Sequence, residues 1–232
     1  VPMDLQEMLR RAEAPEALVD WAPDEVEEGY ATSPSGSWLT WIAGSSGFPL
    51  DLLIRCVMEI MDELIDDLGK SFEGRDLLIE ALDVSQECLN GEAPPEDCID
   101  VAEECEDMAD EPPVGYRDVV PPGFVELARA VSWVPKATEG CVAARVSLEA
   151  PRMENAQHMA NILGGGSHIF LPKEKPIAIE PEKLPDDEAQ ASMLFVVAAL
   201  AEAMALAERT KAILIDRPAG EGHDLAAKWA AE

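Results

Sequence analysis

Three consecutive segments in the first half of this chain repeat one pattern. Apolar residues recur at spacings of three and four, and carboxylates fill most of the positions between them. In residues 50–70 the apolar stripe is Leu53, Val57, Ile60, Met61, Leu64, Ile65 and Leu68, while Glu59, Asp62, Glu63, Asp66 and Asp67 take the other face. Residues 76–89 place Leu77, Leu78, Ala81, Leu82 and Val84 on the inner side, with a stop signal at Asn90 and Gly91. Residues 96–109 carry Cys98, Val101, Ala102, Cys105 and Met108 inside and Glu96, Asp97, Asp100, Glu103, Glu104, Glu106 and Asp107 outside. A stripe of this period is helical. It cannot be left in water, so each helix needs a partner to bury it. Gly69 stands where the first helix should stop, because glycine is the usual residue past a helix end. Pro94 with Pro95, and Pro112 with Pro113, bracket the third.

The charge is unevenly distributed. Across 232 residues, 47 Asp and Glu oppose 17 Lys and Arg, for a net charge of -30. Residues 1–118 hold 31 acids and 6 bases, and residues 119–232 hold 16 acids and 11 bases. A protein adapted to high salt is acidic over its whole surface, so the imbalance argues for a dedicated acidic face instead. Nucleic acid and anionic membrane are polyanions and would repel such a face, so neither is an expected partner. The division suggests an acidic helical region over 1–118. A less charged helical region over 119–232 follows, with a sharp corner at 119–123 (VVPPG); the two can also form one continuous domain.

Around these segments the remaining elements are short or apolar. Residues 3–13 form an amphipathic helix, and Pro15 and Pro23 can each open a helical turn. Residues 32–37 are a loop by composition. Trp38 and Trp41, at i and i+3, share a face of a short helix that the 44–47 segment (GSSG) breaks. Residues 124–134, 138–148 and 151–163 read as three Ala- and Val-rich helices, the last closed by the glycines at 164–166. Residues 168–171 and 176–180 suggest a short β-hairpin or two extended segments. The most hydrophobic helix lies within 185–215, with Asp186 or Asp187 as its N-cap. Its apolar run at 191–207 is interrupted by Glu202 and is shorter than a clean membrane span, so a buried central helix is expected. Residues 224–231 offer a last helix. The fold class is therefore mainly α, a multi-helix bundle or array with one short hairpin or extended pair near 167–180.

Reactive groups are sparse. The cysteines Cys56, Cys88, Cys98, Cys105 and Cys141 are odd in number and contain no CxxC pair, and the three histidines are remote from them. A zinc site has little basis. Cys56 reads as a small buried hydrophobe, and Cys98 and Cys105, seven apart on one helix, as half-buried seam residues rather than a disulfide. Free thiols fit a reducing cytosol, and the first residues show no secretory pattern. The glycines at 164–166 before Ser167 and His168 lack the Lys-[ST] of a phosphate loop and read as a helix end. Glu154 and His158 are i, i+4 and could hold a metal or relay a proton, but the third ligand is missing, and an exposed pair is the commoner outcome. His168 reads as structural and His223 as a cap. An EF-hand loop does not fit 97–107, which lacks the turn glycine. Trp21, Trp38, Trp41, Trp133 and Trp229 are core residues first, although Trp38 and Trp41 could anchor a partner. No catalytic set, cofactor or metal is expected.

The stretch Trp38 to Gly44 (WLTWIAG), the helix with Cys56, residues 78–81 (LIEA) and residues 91–93 (GEA) together resemble helical immunity proteins encoded beside bacterial polymorphic toxins. The resemblance covers about residues 37–109. It implies a non-catalytic cytosolic protein that neutralises a toxin by binding it. The charge leads the same way, toward an immunity, inhibitor or adaptor protein that engages a basic partner, such as a toxin or a nucleic-acid-binding protein. The residues expected to meet that partner are Asp62, Glu63, Asp66, Asp67, Glu96, Asp97, Asp100, Glu103, Glu104 and Asp107. The competing expectations are a structural or scaffold subunit of a larger assembly, whose charge serves solubility, and a hydrolase with a concealed site.

Overall fold

The computed structural model describes residues 4–69, 72, 74–112, 120–162 and 187–215, with the backbone alone for 146–162 and 187–188. Its elements are α1 (Leu5–Arg11), α2 (Glu16–Trp21), α3 (Val26–Thr32), α4 (Gly36–Ser45), α5 (Leu50–Leu68), α6 (Arg75–Asn90), α7 (Pro95–Asp110), α8 (Phe124–Ile162) and α9 (Asp187–Ile215). There is no strand among the described residues. The hairpin or extended pair expected near 167–180 is not borne out there, since that segment lies outside the described residues, as do the glycines at 164–166, His168, His223, Trp229 and the helix expected at 224–231.

Helices α8 and α9 form the axis. They run antiparallel, with Gly123 at the start of α8 against Thr210 and Ile213, and Gly140 against Phe195 and Val196. On one side α6 and α7 pack onto α8, and α5 lies against both α8 and α9. On the other side α4 lies against α9, and α1 and α3 rest on α4. The main core gathers Leu53, Ile54, Val57, Met61, Ile65, Leu78, Val101, Phe124, Leu127, Val131 and Leu200. A second cluster joins Leu5, Leu9, Leu18, Trp41 and Ile42 to Val197 and Ala201 of α9. The apolar helix expected within 185–215 is therefore central, feeding both clusters. By length and composition alone Ala189–Ile215 could also cross a membrane, and half of that apolar window is buried against the other helices.

The stripes expected on α5, α6 and α7 are the buried ones, with Ile60, Leu77, Val84 and Met108 half-buried at their margins. Helix stops also fall where glycine was expected. Gly91 takes a left-handed φ of 76° and its N–H closes onto the Cys88 and Glu87 carbonyls. Two expectations need correction. Phe124–Ile162 forms not the three helices expected over 124–163 but a 39-residue helix that continues through Pro135 and Pro151. A proline inside a helix removes one backbone bond and costs about 3 kcal/mol. Around Pro135 that cost is offset by burial of Val131, Val134, Ala137 and Cys141 between α7 and α9. The Ser132 and Thr138 hydroxyls, on either side of Pro135, donate to the Arg129 and Val134 carbonyls.

The second correction concerns the cysteines. Cys56 is exposed, not buried. The inward face of α5 is set by Leu53, Ile54, Val57, Met58 and Met61, which turns Leu52, Cys56 and Glu59 outward. Cys98 and Cys105 are fully buried rather than half-buried, and all five thiols are free. Of the tryptophans, Trp41 is buried, while the half-buried Trp38 stacks at 5.1 Å on Trp21.

Helix α4 can lie close to α9 because it carries glycine at the contact. A Cβ on Gly36 would meet Met204 Cε at 2.7 Å, and one on Gly44 would run into both methyls of Val197. Glu208 of α9 adds a polar tie by accepting from the Gly36 N–H at the α4 N-terminus, where the helix dipole favours an anion. Gly44→Ala gains about 1 kcal/mol of helix propensity. It also overpacks a buried, rotamer-restricted valine at about 1–3 kcal/mol, so clash wins. Denaturant unfolding should show Gly44→Ala less stable than wild type, yet neutral or stabilising when Val197→Ala is already present.

Burial also sets the thiol chemistry of the core. It holds the Cys105 thiol up to about 12 and, against the opposing Arg145 charge, the Cys141 thiol up to about 11. Cys98 is raised too, first by burial and then by its hydrogen bond with Cys88. An unfolded chain releases these protons near pH 9, so between pH 9 and about 11 to 12 it binds fewer protons than the folded chain and stability falls as pH rises. Unfolding free energies measured across that window should decline, and the decline should be shallower for Cys105→Ala/Cys141→Ala.

Candidate functional site

The three acidic helices lie side by side, with α6 in the middle touching both α5 and α7. Short connections make successive helices antiparallel. The C-terminal end of α5 meets the start of α6 through an Arg75–Asp66 ion pair at 2.6 Å. The end of α7 returns to the same place, where Gly74 faces Met108. Their inner stripes are turned to α8 and α9, so their outer stripes share the opposite surface. All ten residues expected to meet a partner are exposed: Asp62, Glu63, Asp66, Asp67, Glu96, Asp97, Asp100, Glu103, Glu104 and Asp107. They do not form one contiguous patch by themselves. Asp62 to Asp67 and Glu103 to Asp107 flank the first half of α6, and Glu96, Asp97 and Asp100 flank its second half.

What fills the gap is a stripe on α6 that the sequence expectations left out. Asp76, Glu80, Asp83 and Glu87 are exposed at i, i+4, i+7 and i+11, bordering a shallow groove of about 340 Å³ with Ile79 and Val84. Their spacing was the available signal. It is the helical period of the apolar stripe displaced to the other face.

Among the described residues, the cations near this surface are engaged, mostly at the seams. Lys136 of α8 binds Glu106 at 2.6 Å and lies 4.9 Å from the Trp133 ring. Arg129 binds Asp110 at 2.9 Å, and Arg145 binds Asp51 at 3.0 Å while reaching the Leu89 carbonyl. Arg55 donates to Asn90. Of the ten expected residues, Asp66 alone has an ion pair among the described residues, with Arg75. The rest present free carboxylates.

Among the described residues no group of three or more His, Cys, Asp or Glu side chains is placed to hold a metal ion. The side chains of Glu154 and His158 lie outside the described residues. Comparison with family models, with curated proteins and with solved structures finds no match for this chain.

The acidic face has a cost to the fold. On α7 alone the pairs 96/100, 100/104 and 103/107 set like charges one turn apart, each costing about 0.2–0.5 kcal/mol in an exposed helix. Sodium chloride screens such repulsion, and at about 0.5 M the Debye length is only a few Å. Thermal unfolding should therefore show a midpoint about 5 °C higher at about 0.5 M than at about 0.01 M salt, the shift that about 2 kcal/mol gives a chain of this size.

Proposed function

We propose that this chain is a non-enzymatic binding protein that engages a basic protein through the acidic face of α5, α6 and α7, and that it acts as an immunity, inhibitor or adaptor protein in the cytosol. One observation carries the reading. Among the described residues, three adjacent helices expose carboxylates without an ion pair on one surface, while Arg75, Arg129, Lys136 and Arg145 are tied up in seams. Solubility alone does not require charge to be concentrated this way. Concentrating it maintains self-repulsion, which a cationic partner relieves on binding. Complementary fields of this kind raise association rates and exclude wrong partners. The partner that fits is a protein with a cationic cleft, such as a nuclease toxin or another nucleic-acid-binding protein, and covering the cleft needs no catalysis. The likeness of residues 37–109 to helical immunity proteins supports the same class.

Purification of the tagged chain from its source cell at low salt, followed by measured binding of the recovered partner, tests this. The partner should be strongly basic. Its affinity should fall more than about tenfold between about 0.05 M and about 0.5 M salt, while the free chain becomes more stable over the same range. The variant Asp62→Lys/Glu63→Lys/Glu104→Lys/Asp107→Lys should keep its helicity and lose binding. Affinity that is indifferent to salt, or survives the reversal, overturns the proposal and leaves the scaffold reading, in which the charge serves solubility.

A further inference from the structure

A second groove lies at the edge of the acidic face, where α7, α8 and α9 meet. It has a volume of about 170 Å³ and is lined by Ile99, Glu103, Glu106, Lys136, Glu139 and Phe195. Two of the large apolar side chains that the described residues leave exposed stand in it, Ile99 and Phe195, each 44% exposed. An aliphatic and an aromatic residue exposed in one groove form a small apolar surface on which a partner's side chain can settle. Phe195 packs with one edge against α8, where Gly140 leaves room for it, since a Cβ at that position would meet its ring at 3.3 Å and Val196 at 3.1 Å.

The charges around the groove are sorted. Glu106 and Lys136 satisfy one another at 2.6 Å, with Lys136 kept beside Trp133. Glu103 and Glu139 make no ion pair among the described residues, one on α7 and the other on α8. A groove that exposes Ile99 and Phe195 and carries two unpaired carboxylates in its lining is complementary to a bulky apolar side chain flanked by lysine or arginine.

We infer that this groove is the anchor point for the basic partner, and that it takes a cationic peptide segment with one leucine-sized or aromatic side chain seated between Ile99 and Phe195 and its cations on Glu103 and Glu139. The inference rests on the proposed function for the sign of the partner's charge and adds where it is gripped. The broad carboxylate surface attracts from a distance, and the groove supplies the desolvated contact that slows departure. Buried anchors of this type carry most of the energy of an interface, while surrounding charges tune encounter and specificity.

The probe is a displayed library of short peptides selected against the full chain at low salt, with the enriched peptides then synthesised and titrated. The expected peptides carry a bulky apolar residue next to lysine or arginine. Ile99→Ser/Phe195→Ser should weaken them by about tenfold or more while the chain remains folded with wild-type helicity, since both side chains are nearly half in water. Glu139→Gln should weaken them by about threefold and flatten their salt dependence. A selection that enriches nothing, or peptides that bind Ile99→Ser/Phe195→Ser as well as wild type, overturns the anchor. In the latter case loss of binding to the four-lysine variant would place recognition on the α5–α7 face and leave the proposed function standing. Binding that survives both sets of substitutions would defeat both.

Discussion

The close approach of α9 to α8 and α4 is the constraint on which the rest of the molecule depends. Helix α9 is rich in alanine, and Val196, Ala199, Leu200 and Ala203 belong to the main core while Val197 and Ala201 belong to the N-terminal cluster. One helix serves two clusters only if its neighbours come near on two sides. Glycine makes that possible at Gly36 and Gly44 of α4 and at Gly140 of α8. Once the axis is formed, α5, α6 and α7 have an apolar wall to lie on. Without it their stripes would have no partner.

Charge placement follows from the same arrangement. Helices with one buried stripe must put their remaining positions in water, and here those positions are mostly aspartate and glutamate. Arg75 of α6 and Arg129, Lys136 and Arg145 of α8 are used along the lines where helices meet. Each such exposed pair adds little stability by itself. Their larger consequence is local, because they neutralise the seams and leave the outer stripes of α5, α6 and α7 as a nearly pure anionic surface. The fold tolerates that repulsion because the burial beneath it is extensive, and a surface kept under repulsion favours a cation when one is offered. Long-range attraction of this sort has little shape, however. A groove with Ile99 and Phe195 at its edge would give it a fixed point.

The helix content, the inner stripes and the acidic outer positions of α5, α6 and α7 were legible because they depend on a local period of 3.6 residues, which a sequence states directly. Glycine stops at Gly69 and Gly91 were legible for the same reason, since a left-handed residue past a helix end is a local requirement. The α6 stripe of Asp76, Glu80, Asp83 and Glu87 was equally readable, and was missed because its carboxylates stand singly, two or three mostly uncharged residues apart, rather than in the adjacent pairs that mark α5 and α7.

Tertiary structure decided what local rules could not. A proline ordinarily ends a helix, yet Pro135 lies within one because α7 and α9 bury the turns around it. Cys56 lies in an apolar run that suggests burial, yet it faces water because the helix can turn only one stripe inward and the stronger stripe wins. Which carboxylates remain free depends on where Arg75, Arg129, Lys136 and Arg145 reach across to other helices. The groove between Ile99 and Phe195 joins residues almost a hundred positions apart. The sequence by itself determined a set of acidic amphipathic helices and an apolar one to bury them, because periodicity is local. Which faces meet, which charges stay unpaired and where a partner could be gripped were decided by packing, because those properties belong to pairs of helices and not to any one of them.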